Sequence, residues 1–241
     1  MLKKLVLGLI FTFSVSAVSF AQKWNFPQDE AEKILSPVTD WMASGSGALT
    51  YVSAKAPSTF GFRIGLMAAG ATVPKIEGAE DVGFTLNNAA LVASLGTMGF
   101  EATLKLLPAG DFTSTTVGLK YELTSLIPLP PGIPISIAGY ADYNKSSIKV
   151  DDTEIGASNV GFGGLVSGDL VVIKAYGRLG YEIGSGTMKY TYDPDGLAQK
   201  VDLNPDSNGL RAAVGGSLGF FDVELGYRSY AYYAVGLSVG F

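Results

Sequence analysis

The sequence predicts an all-β fold: a transmembrane antiparallel β-barrel of about ten strands, within a range of about eight to twelve, with a short N-terminal helix. Three observations lead there. Charged residues make up 16% of the 241-residue chain, against roughly 25% in a soluble domain. Glycine is abundant, at 31 residues, and mean hydropathy is positive at +0.28. Beyond residue 47 the sequence alternates with period two, large apolar residues on one face and Gly, Ser, Thr and charges on the other. No stretch after residue 21 reaches the apolar length of a membrane helix, so a membrane location requires a closed barrel.

The chain opens on an export signal. Lys3 and Lys4 form a basic start, Leu5 to Phe13 an apolar core, and Ser19-Phe20-Ala21 a small-x-small cleavage site. Residues 1–21 are therefore expected to be removed. That takes two of the 17 basic residues and none of the 22 acids. The acidic balance and the lack of any basic run disfavour nucleic-acid binding.

Residues 22–46 are expected to form a plug helix. Pro27, Asp29 and Glu30 suit a helix N-terminus. Ala31, Ile34, Leu35, Val38, Trp41 and Met42 share one face at helical spacing. Pro37 predicts a kink or two short helices joined at Ser36. Ser44-Gly45-Ser46-Gly47 ends the segment.

Residues 47–241 are expected to form the barrel. Phe60 to Leu66 places Arg63 opposite its apolar row. Phe100 to Leu106 does the same with Glu101 and Lys105, and Thr115 to Leu123 with Lys120 and Glu122. Ile135 to Tyr143 alternates with Asp142, and Val171 to Tyr181 with Lys174, Arg178 and Glu182. Leu210 to Leu218 opposes Arg211; Phe221 to Tyr227 opposes Asp222, Glu224 and Arg228. Tyr233, Val235, Leu237, Val239 and Phe241 form the last apolar row. The strong runs have about the length a tilted strand needs to cross a bilayer. Weaker strand candidates lie at Leu49 to Ser53, Val160 to Val166 and Met188 to Tyr192, while Val73 to Gly96 shows no clean period and reads as loop or plug. Tyr121, Tyr143, Tyr181, Tyr227, Tyr233 and Phe241 recur near run ends, as interfacial aromatics do.

The thirteen charged residues named on the inner faces are the candidate lumen lining. They read either as an ion-selective constriction or as a salt-bridged interior, the second favoured because buried charges persist when paired. The acidic stretches Asp151-Asp152 and Asp193 to Asp206 read as solvated turns rather than calcium loops. The chain has no His and no Cys. The commonest general base, the commonest metal ligand and any thiol nucleophile are thus missing, and the expectation is a non-enzyme with no cofactor.

Ile34-Leu35-Ser36-Pro37, Val73-Pro74, Leu106-Leu107-Pro108, Val117-Gly118-Leu119-Lys120-Tyr121, Ile127-Pro128-Leu129-Pro130 and Ala141-Asp142-Tyr143-Asn144-Lys145 carry a resemblance. The chain resembles uncharacterised bacterial outer-membrane proteins with an N-terminal plug helix, distantly similar to FadL-type transporters of hydrophobic compounds. The resemblance implies a location in the outer membrane and passage of a small apolar solute. The terminal Phe241 resembles the aromatic that barrel-insertion machinery reads. The expected partners are outer-membrane lipid, that machinery and a small apolar solute. The leading functional expectation is a passive channel for small apolar molecules; the alternative is a structural or surface-interaction barrel with a sealed lumen.

Overall fold

The structure is a computed structural model that describes residues 28–71, 88–109, 112–127, 134–150, 153–170, 172–192 and 199–240. The export signal, residues 22–27 and Phe241 lie outside them. Among the described residues one α-helix, α1 (Gln28–Ser46), precedes eleven strands. These are β1 (Gly61–Ala71), β2 (Asn88–Thr97), β3 (Phe100–Ala109), β4 (Phe112–Glu122), β5 (Ile135–Val150) and β6 (Thr153–Leu170). Then follow β7 (Ile173–Tyr192), β8 (Gln199–Leu203), β9 (Gly209–Leu218), β10 (Phe221–Arg228) and β11 (Tyr230–Gly240).

Ten strands close a ring in which every pairing is antiparallel. Neighbours in sequence pair, β7 passes directly to β9, and β11 returns to β1, with Ile64 opposite Val239. β8 stands outside the ring. It extends the upper part of β7, pairing Met188 to Tyr192 with Gln199 to Leu203. Closure removes the sheet edges that a bilayer cannot satisfy.

One end of the barrel carries the β2–β3, β6–β7 and β9–β10 turns and the twelve-residue β4–β5 link, together with the start of β1 and the end of β11; we call it the turn end. At the β2–β3 turn Met98 and Gly99 both have positive φ, 52° and 81°. That is the mirror-image turn that matches strand twist. The other, the loop end, carries the sixteen-residue β1–β2 link and the connections around β8, along with the short β3–β4, β5–β6 and β10–β11 links.

The outward rows are those the alternation predicts. Phe62, Ile64, Leu66, Leu104, Val117, Leu119, Leu179, Val214, Val223 and Leu225 are all exposed. An exposed apolar surface of this extent is paid for only in lipid. Tyr143, Tyr181, Tyr227 and Tyr233 stand at its loop-end margin, also exposed.

The three longest strands, β5, β6 and β7, run 16, 18 and 20 residues. They pass beyond the lipid belt, and the polarity of their faces exchanges there. Val117, Tyr143, Val160 and Ile183 are in register and mark the limit. Above it the outer face becomes polar, with Lys145, Ser158 and Ser185 in register, then Lys149, Glu154 and Lys189. The inner face becomes apolar, with Ile148, Ile155 and Met188 in register and buried. The phase of the strand never slips; the surroundings of the two faces change.

Several expectations need correction. α1 is a single helix running through Pro37, not two. Leu49 to Ser53 is not a strand; it lies inside the barrel with Leu49 and Tyr51 buried. Val160 to Val166 is the middle of the longer β6, and Met188 to Tyr192 is the end of β7. Within Val73 to Gly96, residues from Asn88 onward form β2. Its inward Ala90 and Val92 are apolar like its outward Leu91 and Leu95, so the alternation is hidden.

Candidate functional site

α1 lies in the loop-end half of the lumen. Leu35, Val38, Trp41 and Met42 are buried in one cluster with Met67, Val92, Leu107, Phe112, Ile148, Ile155, Met188, Tyr190 and Leu203 of the wall. Ile34 belongs to the helix, but its side chain is not among those described. The Trp41 indole donates to the Ala71 carbonyl at 3.3 Å. Thr39 packs over Gly186, where a Cβ would collide with its methyl group. Burying an apolar side chain of this size contributes about 1.5–3 kcal/mol.

Below the helix the chain threads through the turn-end half before entering β1. A helix leaves its last carbonyls without intrahelical donors and carries partial negative charge there. No basic residue in the last turn of α1 answers them. The barrel does. Arg228 donates to the Asp40 carbonyl at 3.4 Å, and Arg211 to the Ala43 and Ser44 carbonyls at 2.7 and 3.1 Å. Lys105 donates to Ser46, and to Ala48 at 3.1 Å. Both terminal nitrogens of Arg178 reach the Gly47 carbonyl at 3.1 Å. Arg63 donates to Thr50 at 2.9 Å. Lys120 donates to Ser53 and Lys55 at 2.7 and 3.1 Å.

Carboxylates hold these bases in place. Glu224 pairs with Arg178 at 3.0 Å and accepts from the Tyr176 and Tyr232 hydroxyls at 2.8 and 2.9 Å. Glu182 bridges Arg211 and Arg228, the second at 2.7 Å. Arg228 also pairs with Asp40 of α1 at 3.0 Å, which in turn accepts from Ser207 at 2.7 Å. Glu101 pairs with Lys120 at 2.7 Å. Glu122 accepts from the Ala56 amide at 2.8 Å. Asp222 accepts from Ser217 and Ser238 at 2.5 and 2.6 Å. Asp142 lies over Gly161 with no hydrogen bond or ion pair among the described residues.

Of the thirteen charges read as lumen lining, twelve therefore lie inside the barrel. Lys174 shares their parity but is exposed at the turn end, two residues into β7. The sequence reading did not find what the bases hold: a run of main-chain carbonyls from Asp40 to Lys55. A helix ending in Ser-Gly-Ser-Gly with no base of its own was the available signal. It also missed Tyr51, whose ring sits on Gly118 and whose hydroxyl donates to the Ala141 carbonyl at 3.0 Å. A side chain at residue 118 would displace it. Among the described residues no group of three or more acids could hold a metal ion, and no helix is long and apolar enough to cross a membrane.

A closed ring, a lipid-compatible exterior and a charged interior define an outer-membrane-type β-barrel. The chain belongs to a family of unknown function, DUF6588, whose model matches residues 76–241. No curated protein matches it. Among solved structures, the translocator domain of autotransporter NalP from Neisseria meningitidis is similar at 11% identity and a TM-score of 0.42, the match covering 88% of this chain and 96% of that one. Neisserial surface protein A (NspA) is similar at 16% identity and a TM-score of 0.30, covering 75% and 94%. Neither lends support to the FadL-type likeness.

Proposed function

We propose that the protein resides in the bacterial outer membrane as a sealed barrel, closed by α1 and the thread behind it, with a structural or surface-interaction role. One observation carries this reading: five buried lumen bases and the half-buried Arg63 all donate to main-chain carbonyls of residues 40–55. Hydrogen bonds to charged donors contribute about 1.5–3 kcal/mol each, and unmaking a buried one strands a charge. Such a segment does not leave by thermal fluctuation. The reading is non-catalytic and takes residues 1–21 as an export signal.

Liposome swelling tests the seal. Vesicles carrying the full chain are expected to be impermeable to small solutes, and those carrying the protein without residues 22–56 to be leaky. Solute entry through the full chain would refute the sealed barrel.

A second reading, a passive channel for small apolar molecules, is favoured by the wall that α1 covers. Met67, Phe112, Ile148, Ile155 and Met188 would line an apolar chamber if the helix moved aside. Entry of an apolar but not a polar solute in the same assay would select it.

A further inference from the structure

Five junctions at the turn end each present a large apolar side chain to the surroundings. Phe60 leads into β1, Met98 tips the β2–β3 turn, Leu126 the helical turn after β4, Val172 the β6–β7 turn and Phe220 the β9–β10 turn. Their exposures are 72, 79, 67, 71 and 64%. Turn tips in water are ordinarily Gly, Asn, Asp or Ser.

Met98 is the most informative. It holds a left-handed φ of 52° immediately before Gly99, a position where Asn is favoured and a side chain such as Met is strained. Its side chain gains almost no contact within the chain in return, being the most exposed of the five. A residue that costs backbone strain and packs on nothing internal is rewarded from outside.

Continuity identifies the occupant. Phe60 extends the outward row of Phe62 and Ile64, and Met98, Val172 and Phe220 adjoin the exposed Phe100, Ile173 and Phe221. The apolar surface thus passes from the lipid belt to the tips without a break. From Ile173 to Ile183 the belt already spans about 25 Å along the membrane normal at ordinary barrel tilt. The tips therefore fall where acyl chains meet headgroups. Lys55 and Lys174 stand exposed on this end, with Asp169 in register beside Lys174.

We propose that the turn end is an interfacial anchor, its ring of apolar tips inserted at the headgroup–acyl boundary of a phospholipid leaflet. The proposal rests on the barrel lying in a membrane, and its test separates the two claims.

The chain has no Cys, so single-Cys variants label at one place. Met98→Cys and Phe220→Cys probe the tips, Leu225→Cys the belt, and Lys189→Cys the sheet above it. Each carries a small fluorophore in phospholipid vesicles, quenched in turn by lipids brominated near the carbonyl end and by aqueous iodide. The tip labels are expected to lose at least about half as much signal to brominated lipid as the belt label. They should also resist iodide about threefold better than the Lys189 label. A quenched belt label with iodide-accessible tips would overturn the anchor and leave the membrane reading standing. Tips shielded from both quenchers would place them against another copy of the chain and also overturn it. A belt label untouched by lipid would remove the premise itself.

Discussion

The two halves of the lumen hold the same segment by different physics. In the loop-end half, α1 presents Leu35, Val38, Trp41 and Met42 to a wall of Ile148, Ile155, Met188 and Tyr190. In the turn-end half, the thread presents carbonyls to Lys105, Arg178, Arg63 and Lys120, while Arg211 and Arg228 take those of the last turns of α1 where the two halves meet. Apolar packing is non-directional and tolerates adjustment, whereas a buried ion network fixes one register and is unforgiving of a missing partner. The thread sets where the segment sits, and the helix fills the volume above it.

Substitutions can break this contrast. The largest effect is expected for Glu182→Ala, which strands Arg211 and Arg228 together. Removing one partner from a buried pair costs about 3–5 kcal/mol, to be read from the urea midpoint of the vesicle-inserted protein. Leu35→Ala should cost less, about 2–4 kcal/mol through the cavity it leaves. Hydrogen exchange should then quicken in α1 while residues 47–56 keep their protection. If both segments loosen together, the halves are not separate. The smallest effect belongs to Lys149→Ala. Its pair with Glu154 spans 3.8 Å in the open, and such pairs contribute within about 0.5 kcal/mol. An effect as large as that of Glu182→Ala would contradict the assignment of the upper sheet to solvent.

The same contrast explains what could be read from the sequence. β10 was legible end to end, and β11 from Tyr233 onward, because their outer faces meet lipid along that length, giving rows such as Phe221, Val223, Leu225 and Tyr227. β7 reads as two runs because its apolar residues move from the outward set, ending at Ile183, to the inward set, beginning at Met188. β2 was hidden by its apolar inner face. The thread at Leu49 to Ser53 imitates a strand, since Leu49 and Tyr51 are large and spaced by two, yet nothing local says that it lies within a ring closed by distant strands. Which residues are charged was plain from the sequence. That the bases grip carbonyls was signalled only by a helix ending without a base of its own, because a main-chain acceptor carries no side-chain signature.

Hydrogen–deuterium exchange of the whole protein in lipid vesicles tests the central claim most directly. Amides of α1 and the thread, residues 28–56, are expected to exchange as slowly as those of β9 and β10, because opening the lumen would unmake the whole ion network. Exchange of the thread within seconds, beside protected strands, would show a lumen that the segment merely visits.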